Sequence, residues 1–390
     1  MAPDSDYPSP VVKFIRSWLM RFLLRGPVQR WWLARKGQAF SEQYTRSLLE
    51  ASRILMDKKP APAPPLRRMG APVPSSIVFI ADITWEDYYL IPELEKICPV
   101  HSLNLHPHIK DASFAEQRRQ IVPVLRDYVD RIKNVDPSLV FLYLKPQFLS
   151  EEIFQIIRRQ FSCPLVGLSL DDQTHFIDYH LFAEQNYGHW ARFFDINLTN
   201  GHKTLDWYYS RQLPVYYMPQ GVRRFDNLDI PKSIDEFRHE MTFLGAMKAE
   251  RKQLIDDLAA RGVSVTCFGS GWPNSRWVDD ANSVFRSSMI NLGMGTSVPM
   301  SRLTCTKGRD FECPGVGSCY LTQFNWELVQ HYELGKEILC YSSLEELVEI
   351  YSYYRSRPGE CLKIAQAAWR RSIACHTWEK RFRNFFAWLA

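Results

Sequence analysis

The sequence predicts an α/β fold of two Rossmann-like domains facing a cleft, preceded by a basic amphipathic helical extension. Three observations carry this expectation. From Ser76 onward, short apolar runs alternate with segments of helical periodicity, the mark of βαβ units and a parallel sheet. The alternation starts afresh after Val222, which implies two sheets. Finally, 390 residues exceed the size at which a single core keeps growing. A composition of 46% hydrophobic and 23% charged residues is that of a globular chain and excludes wholesale disorder.

The extension covers residues 1–58. Residues 7–41 hold no Asp or Glu but carry Lys13, Arg16, Arg21, Arg25, Arg30, Arg35 and Lys36. Val11, Phe14, Ile15, Trp18, Leu19 and Phe22 recur at helical spacing and share one face. Arg16 and Arg21 interrupt the apolar run, which falls far short of the ~20 residues of a membrane span. Asp4 and Asp6 before it, and no small-residue cleavage site after it, fit a signal peptide poorly. The pattern suits a helix lying in an anionic membrane surface through residues 11–36, each basic group adding ~1 kcal/mol. The competing reading is a helix packed on the body with its Arg residues solvated. An anionic partner such as nucleic acid is not expected, because no nucleic-acid fold signature accompanies the charge.

Six prolines between residues 60 and 74 mark a semi-rigid linker, residues 59–75. The first Rossmann-like domain spans 76–222. Its strands are expected at 77–81, 100–105, 139–144, 164–170, 195–199 and 215–219, with helices at 114–132 and 151–159. The second spans 223–373. Strands are expected at 241–245, 263–268, 289–292, 319–322 and 338–341, and helices at 250–261, 344–356 and 361–373, with Pro358-Gly359 separating the last two. Residues 374–390, including His376 and Arg381, form a last helix that crosses back to the first domain. Nine cysteines with no CxxC pair indicate reduced thiols in a cytoplasmic protein.

Two stretches carry chemistry. Gly245 ends a strand and is followed by Lys248 and Arg251 at the start of a helix, which suits a diphosphate. Alone this is also what a glycine turn with a solvated basic first turn looks like. Lys307, Arg309, Glu312, Gly315 and Gly317 are denser: cations for phosphates, a carboxylate for ribose hydroxyls, and small residues where backbone meets ligand. In the first domain, Asp171 and Asp172 end a strand facing the cleft, with His175 three residues on. They could activate or orient an acceptor hydroxyl, or Asp172 could cap the next helix. His101, His106 and His108 lack a Cys or carboxylate at zinc spacing and read as a surface loop, so no metal site is expected.

The ordered set Lys307–Thr322, Tyr332–Glu337, Ser343–Leu347 and His376–Arg381 resembles the C-terminal region of CgeB-like glycosyltransferases, GT-B enzymes related to glycosyltransferase family 4. The resemblance covers about residues 165–385, strongly only after residue 241. It implies a nucleotide-sugar donor in the second domain, an acceptor facing the first, and no metal or separate cofactor. It places the ribose contact at Glu312 and a diphosphate contact at Arg251, with Lys248 as a substitute for the family's other basic residue, where Ala246 stands. A second family carboxylate maps to Thr304, which leaves the stereochemistry open. The expected function is sugar transfer from a nucleotide-sugar to a glycan, lipid-linked or protein acceptor, in cell-surface or spore-type glycan synthesis, by a cytoplasmic enzyme peripheral to the inner membrane face. The alternatives are a catalytically silent binding partner of the same fold and an epimerase or phosphorylase of the same architecture.

Overall fold

The computed structural model describes residues 67–82, 89–109, 113–172, 176, 186–224, 234–273, 278, 280–295 and 306–390. The extension, His175 and Thr304 lie outside the described residues.

The first sheet has six parallel strands in the order β2-β1-β3-β4-β5-β6: β1 Ile77–Ala81, β2 Val100–Asn104, β3 Leu139–Tyr143, β4 Leu165–Ser169, β5 Ile196–Thr199 and β6 Val215–Tyr217. β1, β3 and β4 are buried along their whole length, because helices cover both faces; hence their continuous apolar sequences. One face is covered by α2 (Phe114–Arg131) and α3 (Glu151–Gln160), with α1 (Ile91–Glu95) on the other and α4 (Tyr187–Trp190) and α5 (Leu205–Tyr209) following β4 and β5. Ser113 and Ser150 cap α2 and α3, accepting from the Glu116 and Ile153 amides.

The second sheet has five parallel strands in the order β11-β10-β9-β7-β8: β7 His239–Leu244, β8 Thr266–Phe268, β9 Ser288–Leu292, β10 Tyr320–Gln323 and β11 Leu339–Tyr341. Its helices are α6 (Ala249–Ala259), α7 (Ala281–Arg286), α8 (Arg309–Gly315), α9 (Leu344–Arg355) and α10 (Pro358–Cys375). Two expectations are corrected here. β8 starts three residues late, Val263 filling the core before the strand begins. Pro358-Gly359 does not separate two helices but opens α10, where a proline in the first turn costs no hydrogen bond.

The last helix, α11 (Trp378–Leu389), lies on the first sheet. Trp378, Phe382, Phe385, Phe386 and Leu389 are buried in one cluster with Phe79, Phe141 and Leu168. His376, expected on this helix, ends α10 instead. The chain thus crosses between domains twice, and the crossings are stitched together: Val222 N–H donates to His376 O (2.9 Å) and Trp378 N–H to Val222 O (3.0 Å). Residues 67–75, expected as linker, are also tied to the body. Met69 N–H donates to Leu389 O and the Ser75 amide to Ser138 Oγ. Phe382→Ala should cost about 3–5 kcal/mol, the usual penalty for emptying a buried aromatic site. Urea unfolding followed through the first domain would show it, and a loss below about 1 kcal/mol would mean α11 is not integral to that core.

Candidate functional site

In an open α/β sheet, ligands bind beyond the carboxyl ends of strands where the strand order reverses. Here the reversals fall between β1 and β3 in the first sheet and between β7 and β9 in the second. The two ends face each other. Lys307, just before α8, reaches across to Asp171, two residues past β4, with Nζ 3.3 Å from Oδ1.

At the end of β7 the chain turns at Gly245. A Cβ on Gly269 would lie 2.7 Å from the carbonyl carbon and oxygen of Gly245, and Gly269 has φ +111°. Glycine is required there because two backbones touch. The indole N–H of Trp272 fastens the turn from below, donating to Gly245 O (2.8 Å). Around this turn two guanidinium groups gather on one ring: Arg309 lies 5.0 Å and Arg251 5.4 Å from the Phe243 centroid. Arg309 donates to Leu244 O (2.8 Å) and Arg251 to Ala246 O (2.8 Å). Neither pairs with a carboxylate among the described residues, and Arg309 Nε is buried without a hydrogen-bond partner. Burial and then the Arg309 charge pull Arg251 down to about 10. Lys248 is lowered by burial, then by Arg251 and Lys307. Four cations therefore crowd one end of the sheet, and their mutual repulsion is what an anion would relieve.

The carboxylates of the same segment divide into two roles. Asp310 is buried and structural: it accepts from the Lys307 amide (2.6 Å) and the Tyr320 hydroxyl (2.8 Å), and burial raises its pKa. Glu312, two residues on and turned to another side of α8, is only partly covered. Burial raises its pKa while Arg309 lowers it, and Gly308 leaves space for its carboxylate beside Gln220. Gly315 and Gly317 serve packing and chain geometry. A Cβ on Gly315 would strike Val222 at 2.5 Å, in the crossing between domains, and Gly317 terminates α8 with φ +73°. Neither needs a ligand to account for it.

Across the cleft, the adjacent aspartates separate. Asp171 has a half-exposed side chain, 52%, facing Lys307. Asp172 is 0% exposed and accepts from the Tyr208 hydroxyl (2.8 Å); burial pushes its pKa up to about 6. It does not reach the cleft surface, and the helix it was expected to cap lies outside the described residues. Sequence reading passed over Asp82 and Lys145, which follow β1 and β3 at the reversal of the first sheet. Asp82 is fully buried, with Lys145 Nζ at 3.3 Å and the Lys145 amide at 3.1 Å. A charged residue directly after the all-apolar β1 was the available signal. Tyr89 was also missed. Burial and then the Glu312 and Asp280 charges raise its pKa to about 12. His101 lies in β2 and His106 and His108 in the short turn after it; no cluster of metal-ligating side chains occurs among the described residues.

Two facing Rossmann-like domains, a cation cluster at the carboxyl end of the second sheet and a returning last helix define a GT-B fold. Comparison with known proteins agrees. Residues 248–387 match the family described as glycosyl transferase-like. The chain superposes on the HepE protein of Anabaena in complex with UDP and glucose, at 12% identity and TM-score 0.54, covering 79% of this chain and 97% of that one. It also superposes on sucrose-phosphate synthase from Thermosynechococcus elongatus, at 10% identity and TM-score 0.53, covering 80% and 97%. At such identities the likeness is one of fold. No curated protein matches the chain.

Proposed function

We propose that this chain transfers a glycosyl group from a nucleotide diphosphate-sugar to an acceptor hydroxyl. The observation that carries the reading is the pair Arg251 and Arg309, stacked on Phe243 at the reversal point of the second sheet with no carboxylate partner among the described residues. The glycosyl transferase-like match over 248–387 covers Lys248, Arg251, Lys307, Arg309 and Glu312. HepE, which shares the fold, was crystallised with UDP and glucose.

In this reading Arg251, Arg309 and Lys307 hold the diphosphate, and Glu312 accepts from ribose hydroxyls. As the bond from the anomeric carbon to the diphosphate breaks, charge collects on the leaving oxygen, and preorganised cations stabilise it. A donor diphosphate competes with Asp171 for Lys307. Asp171, released toward the cleft, takes the proton of the acceptor hydroxyl as the new carbon–oxygen bond forms. The Asp82–Lys145 pair borders the crevice that the acceptor would enter. The acceptor in this reading is a glycan, a lipid-linked molecule or a protein, in cell-surface or spore-type glycan synthesis. No helix among the described residues is long and apolar enough to cross a membrane. Recruitment to the inner membrane face would rest on residues 11–36. Deleting them should release the protein from vesicles containing phosphatidylserine, read by sedimentation, and unchanged binding would dismiss that role.

The test of the donor site is a thermal-shift screen against UDP, GDP, dTDP and CDP and their sugar conjugates. A nucleotide at about 100 times its dissociation constant should stabilise by ~2.7 kcal/mol. A shift that Glu312→Ala abolishes supports the site; a folded sample that responds to none of them overturns it. Ala246, standing where the family carries a basic residue, favours a second reading, a silent module that binds the nucleotide-sugar. That module would give the shift without transfer or hydrolysis.

A further inference from the structure

Where the two crossings meet, a cavity of about 310 Å³ opens between the domains. Its walls come from the end of β6 (Tyr216, Tyr217), from Gln330 and His331 of the second domain, and from Arg381 and Asn384 of α11. It shares no lining residue with the cation cluster at β7.

Arg381 is unusual among the arginines. Its Nη2 donates to His376 Nδ1 (3.0 Å) and its guanidinium lies 5.5 Å from the Phe311 ring centroid. Its Nε is buried with no hydrogen-bond partner, and among the described residues no carboxylate pairs with it. The neighbouring imidazoles do not add charge. His376 Nε2 donates to His331 O (2.8 Å), which leaves Nδ1 as the acceptor for Arg381 and makes this ring neutral. Burial, and then the Arg381 charge, push His331 down to about 3 and His376 to about 4. The described lining therefore carries one charged residue, a cation, in otherwise neutral walls. Arg381 is only partly exposed, and a cation so far withdrawn from water is normally compensated by an anion.

We propose that this hinge cavity binds a small phosphorylated sugar, with its phosphate on Arg381. The planar guanidinium fork matches phosphate oxygens. Gln330 and Asn384 supply amides for hydroxyl groups at the rim, and the Tyr216 and Tyr217 rings supply flat apolar faces. The volume stands at the lower end of ligand sites, room for a monosaccharide phosphate and not for a whole nucleotide-sugar. The inference is independent of which reaction the cleft performs.

Isothermal titration of the full chain with glucose 1-phosphate, glucose 6-phosphate and mannose 6-phosphate tests it, with glucose and inorganic phosphate as references. At least one sugar phosphate should bind saturably. Arg381→Gln should weaken it tenfold or more, whereas Arg309→Ala, in the other cation cluster, should leave it unchanged. If Arg381→Gln does not fold, the exposed rim decides: Asn384→Leu and Gln330→Leu together should weaken the sugar phosphates several-fold and inorganic phosphate little. The proposal is overturned if the folded wild-type protein binds none of the three. It is equally overturned if binding survives the hinge replacements, or is lost in Arg309→Ala, which would place the phosphate in the cleft.

Discussion

Arg309→Ala should lower glycosyl transfer by roughly two to three orders of magnitude, the usual effect of removing one preorganised donor to a developing oxyanion. Arg309 is the cation most firmly placed: its guanidinium is held by Leu244 O, rests on Phe243 and keeps a buried Nε unused. Losing the Leu244 hydrogen bond, which a charged group makes, should cost about 1.5–3 kcal/mol of stability, so each variant is assayed well below its melting temperature. Arg309→Lys should recover only part of the rate, because an ammonium cannot both donate to Leu244 O and present a fork to phosphate. The measurement is kcat/KM with the donor that the nucleotide screen identifies, beside a melting curve for each variant. A fall below tenfold would remove Arg309 from the donor site.

Glu327→Gln should stabilise the protein most above neutral pH and only slightly near pH 5. Glu327, from the loop after β10, is 0% exposed at the domain boundary, and burial pushes its pKa up to about 7 from the usual 4.5. Its carboxylate faces the amides of Lys203, Thr306 and His202 but closes no well-formed hydrogen bond. The folded state therefore binds a proton that the unfolded state has already released between about pH 4.5 and 7. Stability falls as pH rises through that window, and the full penalty, on the order of 3 kcal/mol, is felt by about pH 8. Asp172, raised to about 6, adds a slope of the same sign, so the variant should keep a shallower one. Thermal melts at pH 5, 6, 7 and 8 read both. Equal shifts at every pH would show that Glu327 does not titrate between the folded and unfolded states.

The sheets were legible because each buried strand is an apolar run of strand length bounded by turn residues. β8 was overextended because Val263 is buried without being paired, and periodicity cannot tell the two apart. Pro358 misled because a proline reads alike between helices and in the first turn of one. In the site, Lys307, Arg309 and Glu312 were visible as a dense segment, but their placement against Phe243 was not. Arg309 and Leu244 are 65 positions apart in the chain, and only the sheet brings them together. Asp82, Lys145 and Glu327 belong to no motif; their burial follows from strand order and domain contact, which local sequence does not encode. The difference between Asp171 and Asp172 likewise follows from which carboxylate turns under the strand end.

The stitched crossings and helix α11 have a consequence for how the protein is made. The core that Phe79 and Phe141 begin is closed by Phe382, Phe385 and Phe386, which are synthesised after the whole second domain. At ~5–20 residues per second, the first sheet waits on the order of tens of seconds with one face covered only by the short α1. During that interval the second domain can fold from its own contiguous sequence, so the later-encoded half of the cleft matures first. A nascent chain stalled before Trp378 should hold a structured second domain and a first domain that still binds chaperones.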